Sequence, residues 1–241
     1  MWDRNRAAAV LWTFLAAVGR PYADPSVPDL MIVNLRVVNR HAQSKCLRGQ
    51  PSDCRQQSIG RDDPVTLRSD KIYHHKLLTD PASDPLIYFE EDETFYTGID
   101  KTKSNKYLVI WSGSTLTNHY HILEADKPER KFREFSPREK GIEYNIDHFG
   151  DKFYVVTNLD AQNFRLMETP ETKTAKENWK EKIAHRKDTL LTGIEIFKNY
   201  LVLTERAQAN TLMRIIDQKT GKKHYLNFGE PAYTLYPSTN I

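Results

Sequence analysis

The groups best able to do chemistry in this 241-residue chain sit in three histidine-bearing pairs. His119 and His121 alternate, so on a strand both belong to one face and would offer two nitrogen ligands to a metal ion. A polar strand face explains the same spacing and is the preferred reading. Asp147-His148 and His74-His75 have the composition of acid–base pairs. No nucleophile accompanies them in a recognisable arrangement, so structural roles are preferred there too. The acidic run Glu90-Glu-Asp-Glu93 would suit a cation or a basic peptide, although a solvated connecting loop suits it better. Ser112-Gly-Ser114 is the nearest approach to a Gly-x-Ser-x-Gly nucleophile elbow, and it lacks the framing glycines. It reads as a turn between strands.

Cys46 and Cys54 are separated by seven residues, which is no zinc spacing, and no His or Cys pair completes four ligands. A disulfide between them would require export of the chain. Lys173 to Lys187 carries lysines and glutamates around Trp179. Its mixed signs and the lack of interleaved aromatics exclude a nucleic-acid site, and a solvated loop with an edge strand is expected. No catalytic, cofactor-binding or metal-binding residue is assigned from these patterns, and no cofactor is expected.

The elements that must position these residues come from a pattern that returns three times. Tyr107-Leu-Val-Ile-Trp111, Phe153-Tyr-Val-Val-Thr157 and Tyr200-Leu-Val-Leu-Thr204 begin at positions 46 and then 47 residues apart. Each is followed by a second extended stretch, at His119–Glu124, Phe164–Glu168 and Thr211–Ile216. A period in this range marks a β-propeller, in which one repeat is one four-stranded blade. Alternation of apolar and polar residues places strands near 95–100, 106–112, 118–125 and 131–135 in the first complete blade. In the second they fall near 142–148, 152–158, 163–168 and 178–183, and in the third near 192–197, 199–205, 210–217 and 223–228. Gly150-Asp151 and Lys219-Thr-Gly-Lys222 are the tight hairpins, with Gly221 in the left-handed conformation. Ahead of these, 71–78 and 86–89 read as the last two strands of another blade. The first two strands of that blade would have to lie in about 48–66, which has no strand pattern. Ala232–Tyr236 begins a further blade. The fold class is therefore all-β: a partial, incomplete β-propeller of about three whole four-stranded blades plus part-blades at each end.

Composition divides the chain near Asp63. Residues 1–63 hold eight Arg, one Lys, six Asp and no Glu, whereas the remainder holds 18 Lys, 8 Arg and 26 acidic residues. The net charge of +3 gives no general attraction to nucleic acid or anionic membrane. Within the head, Ala7–Val18 is a 12-residue apolar run behind Arg4 and Arg6, too short for the roughly 20 residues of a bilayer span. It has the length of a signal-peptide apolar region, with Ala23 placed to end a cleavage site. Asp3 and Pro21 fit that reading poorly, and a short helix or a segment outside the fold is preferred. A cytoplasmic location is favoured, with export if the run is a signal peptide. Leu30–Val38 reads as one strand, and Gln43–Arg61 as loop. The organisation expected is a head over 1–62 without the repeat and a partial propeller over 63–241.

Several blocks of the repeat resemble the oligopeptidase B branch of the prolyl oligopeptidase family of serine peptidases (S9A). They are Asp70–Asp84, Tyr88–Tyr96, Thr102-Lys-Ser-Asn-Lys-Tyr107, Glu143-Tyr-Asn-Ile-Asp-His148, Asn163-Phe-Arg-Leu166 and Glu230-Pro-Ala-Tyr233. Their order fits the middle of that family's N-terminal propeller. The resemblance implies a seven-bladed propeller that covers the active site of a separate α/β-hydrolase domain. It implies that this propeller admits only short peptides, which are cut after Lys or Arg. The family's Ser–Asp–His triad belongs to the hydrolase domain, and none of its members matches a position here. The resemblance thus implies a propeller fragment that is not catalytic alone, whose partners are the hydrolase domain and short basic peptides. Open blade edges are expected to favour self-association. The alternative is a free-standing β-propeller-like interaction module.

Overall fold

The second strand of each repeat is the most apolar stretch of its neighbourhood, and each becomes a central strand. A computed structural model describes residues 13–16, 33–39, 68–75, 80–230, 233 and 235. The strands in chain order are β1 (Thr13–Ala16), β2 (Val33–Asn39), β3 (Ser69–His75), β4 (Leu86–Phe89), β5 (Tyr96–Lys101), β6 (Tyr107–Gly113), β7 (Asn118–Glu124), β8 (Arg133–Glu134), β9 (Tyr144–Phe149), β10 (Lys152–Thr157), β11 (Arg165–Pro170), β12 (Lys180–Ile183), β13 (Leu190–Ile196), β14 (Tyr200–Ala207), β15 (Asn210–Asp217) and β16 (Lys223–Tyr225). They form four sheets of four strands, β1–β4, β5–β8, β9–β12 and β13–β16. In each sheet consecutive strands pair antiparallel. No α-helix occurs among the described residues, and no helix there is long and apolar enough to cross a membrane.

Turn chemistry fixes the registers. Gly150 takes φ +68°, so Phe149 pairs with Lys152 and the β9–β10 hairpin closes over two residues. Gly221 takes φ +70° after Asp217, whose carboxylate accepts the backbone N–H of Lys219 at 2.8 Å and Thr220 at 2.9 Å. The twelve strands expected over 95–228 all form, with bounds moved by a few residues. Gly113, expected in a turn, completes β6.

The first sheet departs from the expected half-blade. Val37 pairs with Ile72 and Arg36 with Tyr73, so β2 covers the edge of β3. β1 then pairs with β2, from Thr13 opposite Arg36 to Ala16 opposite Val33. The missing strands therefore come from the head rather than from 48–66, and Thr13–Ala16 is extended where a short helix was preferred. Two strands joined across a long polar stretch give no repeat signal, which is why the period did not reveal them. The 48–66 stretch, both cysteines and most of Ala232–Tyr236 lie outside the described residues.

The chain divides into two units. One comprises 1–101, 108–114 and 121–133, and the other 102–107, 115–120 and 134–241. The first is built on Ile72, Ile99, Leu108, Ile110 and Leu123, with Tyr88, Ala125 and Phe132 packed against them. The second is built on Tyr154, Val156, Leu166, Leu191, Ile196, Leu201 and Leu203. It also holds an aromatic group in which Phe135 meets Tyr144, Phe153 and Trp179, with ring centroids 6.2, 5.1 and 6.5 Å away. Full burial of side chains this size contributes roughly 1.5–3 kcal/mol each.

Candidate functional site

The chemistry-bearing residues of the second unit converge on the connection between β5 and β6. Thr102, Ser104 and Asn105 are turn formers, and Asn105 takes φ 57°, a conformation that asparagine tolerates better than most residues. Thr102 Oγ1 accepts the N–H of Tyr107 at 3.2 Å, which closes the turn. Ser104 Oγ accepts the N–H of Lys106 at 3.2 Å and lies 3.0 Å from Thr102 Oγ1. The hydroxyl is thereby aimed at His148 on β9.

His148 has no exposed side-chain surface. Its Nδ1 lies 2.8 Å from Ser104 Oγ, and its Nε2 lies 2.7 Å from Glu171 Oε1. The rings of Tyr107 and Phe153 stand against it with centroids 4.9 Å away. Glu171 follows β11 and is also paired with the Lys106 ammonium. Burial pushes the Glu171 carboxyl up, but hydrogen bonds from Lys106 and His148 outweigh this and hold it below its ordinary value. An ionised carboxylate can only accept, so Nε2 carries the imidazole proton and Nδ1 accepts the Ser104 O–H. Burial lowers His148 below its ordinary value, against the raising effect of the Glu171 hydrogen bond.

Ser104, His148 and Glu171 thus stand in the order nucleophile, base, acid. Catalysis needs more than that order: the base must reach a leaving group, and donors must face the developing oxyanion. The His148 ring is sealed on all sides, and both of its nitrogens are engaged within the cluster. The arrangement is suited to holding elements together.

Asp147 and His148 do not form a side-chain pair. Asp147 Oδ1 accepts the backbone N–H of His148 at 2.8 Å and of Lys103 at 2.9 Å. Burial raises the Asp147 carboxyl, against those two hydrogen bonds. The Lys103 ammonium lies 2.5 Å from Glu195 Oε2 and 3.9 Å from the centre of the Phe197 ring. The sequence singled out His148 but missed Ser104, Lys106 and Glu171, which lie 44, 42 and 23 residues from it. The only local sign was the polar turn Thr102–Lys106.

The other sequence candidates lie apart. His119 is buried, with Nε2 2.7 Å from Glu134 and Nδ1 3.3 Å from an Arg138 nitrogen, so both ring nitrogens already have protein partners. The His121 ring lies tilted against Tyr88, with centroids 5.0 Å apart. No group of three or more His, Cys, Asp or Glu suited to a metal occurs among the described residues. His74 lies on β3 and its N–H donates to Pro85, while the His75 side chain is outside the described residues. Ser112 is a buried strand residue with its Oγ 2.9 Å from the Tyr88 hydroxyl, which replaces the turn expected at Ser112–Ser114.

The acidic run is a solvated loop at Glu91, Asp92 and Glu93 but not at Glu90, which is buried and receives the Tyr88 hydroxyl at 3.0 Å. Arg68 ties this loop down by donating to the carbonyls of Glu90, Asp92 and Phe95. Over Lys173–Lys187, β12 is the expected edge strand. Trp179 is turned inward, and its indole N–H donates to Thr174 O at 2.8 Å.

The model of the family described as prolyl oligopeptidase, N-terminal beta-propeller domain, matches residues 57–240. Dipeptidyl aminopeptidase BI of Pseudoxanthomonas mexicana is 36% identical over 179 residues, which is 74% of this chain and 24% of that protein. Protease 2 of Moraxella lacunata is 28% identical over 166 residues, 68% of this chain and 23% of that protein. Among solved structures, oligopeptidase B from Leishmania major superposes with a TM-score of 0.67 over 83% of this chain and 26% of its own, at 21% identity. Oligopeptidase B from Trypanosoma brucei gives a TM-score of 0.62 over 68% of this chain and 24% of its own, at 24% identity. These structural likenesses establish the fold. The chain spans about a quarter of the length of the relatives it matches. With four-stranded antiparallel sheets among the described residues and a family match over three quarters of its length, the chain belongs to the prolyl oligopeptidase N-terminal β-propeller family.

Proposed function

We propose that this chain is a propeller segment of an oligopeptidase B-like serine peptidase. Its task in the complete enzyme would be to gate substrate by size and to pack on an α/β-hydrolase domain. Residues 63–241 would form the propeller segment, with β5–β8, β9–β12 and β13–β16 as whole blades. Residues 1–62 would be a segment of separate compositional history that lends two strands to the first sheet. Short peptides cleaved after Lys or Arg would be the substrates of that complete enzyme. The observation that carries this reading is the family match over residues 57–240, reinforced by 36% identity to a dipeptidyl aminopeptidase along a quarter of its length. These 241 residues contain no Gly-x-Ser-x-Gly, and in the Ser104–His148–Glu171 arrangement the histidine has no exposed side-chain surface.

Two experiments test it. Purified 1–241 should release no dye from an arginyl amide substrate and take up no serine-directed inhibitor. Turnover sensitive to that inhibitor would overturn the non-catalytic role. The chain should also co-purify with an α/β-hydrolase domain from a family member when the two are co-expressed, and failure to do so would sink the packing role. A second reading, a free-standing interaction module, is favoured by one observation. Edge strand β16 is exposed at all three residues, and Tyr225 and Phe228 nearby are 41% and 51% exposed. Self-association in sedimentation without binding to the hydrolase domain would select it.

A further inference from the structure

The Thr102–Tyr107 turn does more than connect β5 to β6. Through Ser104 and Lys106 it grips sheet β9–β12 at His148 and Glu171. Through Lys103 it grips the same sheet at Asp147 and sheet β13–β16 at Glu195. Adjacent residues of one turn thus fasten two successive sheets through polar and ionic links, beside the ring contacts of Tyr107 with His148 and Phe153 and of Lys103 with Phe197. We propose that this turn is an acid-released clasp, in which protonation of His148 loosens its hold on the two sheets.

The argument follows the hydrogens. In the neutral ring Nδ1 accepts from Ser104 and Nε2 donates to Glu171. A proton taken from solvent can enter only at Nδ1, which turns that nitrogen from acceptor into donor. Ser104 must then rotate its hydroxyl away. It already receives the Lys106 N–H, so within the turn its own hydrogen is directed towards Thr102 Oγ1. That oxygen already receives the Tyr107 N–H. The rearrangement therefore runs through the whole turn.

The charge balance points the same way. The charged and titratable groups facing His148 are Glu171 beyond β11, Lys106 and Tyr107 from the turn side, and Asp147 on its own strand. Glu171 is already shared with the Lys106 ammonium and Asp147 is turned to two backbone N–H groups, so an imidazolium brings a second cation to one carboxylate from a ring with no exposed surface. The ordinary histidine value is 6.5, and the folded value lies below it. The unfolded or opened chain therefore binds more protons as pH falls through 6.5, and the closed clasp loses stability in that direction. Glu171, held below its ordinary 4.5, adds to the loss only at lower pH. Asp147, held above its ordinary 3.8, acts with the opposite sign. The range between about pH 6.5 and 5 is thus dominated by His148.

The test is amide hydrogen exchange on the full 241-residue chain, corrected for intrinsic rates. Protection of the Lys103 and Tyr107 amides should fall at least tenfold between pH 7 and pH 5, while amides in the middle of β10 keep theirs. His148→Gln keeps one donor and one acceptor but cannot titrate, and should flatten that response. Lys106→Met, at a half-exposed position, removes the ammonium that competes with the imidazolium for Glu171 and should shrink it. Unchanged protection of Lys103 from pH 7 to 5 would overturn the proposal. So would a full response in His148→Gln, or in Lys106→Met should the first variant fail to fold.

Discussion

Gly98 lies against the face of the Trp111 indole. The two pair across β5 and β6, and a Cβ added to Gly98 would fall 2.5 Å from Trp111 Cζ2 and 2.6 Å from Cε2. No real Cβ sits that close, so the ring must swing outward, which its 38% exposure allows in part. Gly98→Ala should cost about 1–3 kcal/mol in denaturant unfolding and shift tryptophan emission to the red. A variant with wild-type midpoint and emission would show that the strand, rather than the ring, yields.

Glu205 and Arg214 form a buried pair, 2% and 8% exposed, with Nη2 2.5 Å from Oε1. The Tyr225 hydroxyl donates to the other carboxylate oxygen at 3.1 Å. Removing Arg214 leaves the buried carboxylate with the part-exposed Arg186 guanidinium, 3.7 Å from its Oε2, as a weaker counter-charge. Arg214→Met should therefore lower stability by about 3–5 kcal/mol. The double change Glu205→Leu with Arg214→Met should recover most of that loss. A double variant as unstable as the single one would show that packing, not charge, dominates there.

Phe135 is 1% exposed and touches Tyr144, Phe153 and Trp179. Phe135→Ala should cost about 3–5 kcal/mol, through lost transfer energy and a residual cavity. The denaturant midpoint should fall with the slope unchanged.

Deletion of residues 1–62 should expose the long edge of β3. Sequence composition alone made that segment look dispensable. The pairing of Val37 with Ile72, and of the rest of β2 with β3, reverses the expectation. The deleted chain should lose β signal in far-UV circular dichroism and sediment as higher species through its open edge. An unchanged monomer with an unchanged melt would show that the head strands add nothing to the fold.

The strands over 95–228 were legible because each repeat alternates apolar and polar residues and closes on local turns. Gly150 and Gly221 announced their hairpins, and both take positive φ. The clasp was not legible. Its linkages join Ser104 to His148 of another sheet and His148 to Glu171 at the end of β11, and no short window holds them together. Arg68 was invisible for a related reason. It binds backbone carbonyls of the 90–95 loop, and carbonyls carry no sequence signature. β1 was hidden because Thr13-Phe-Leu-Ala16 lies inside a uniformly apolar run, where periodicity cannot separate helix from strand.

The first sheet also has a different kinetic character from the others. β9 and β10 are separated by two residues, as are β14 and β15, whereas 29 residues separate Asn39 at the end of β2 from Ser69 at the start of β3. Each doubling of a loop adds only about 0.6 kcal/mol of closure entropy, but pairing across long separations is slow. The later sheets can therefore assemble from their hairpins while β3 still waits for β2. During that interval the β3 edge is available to any neighbouring chain, so the yield of correctly folded protein should fall as its concentration in refolding rises.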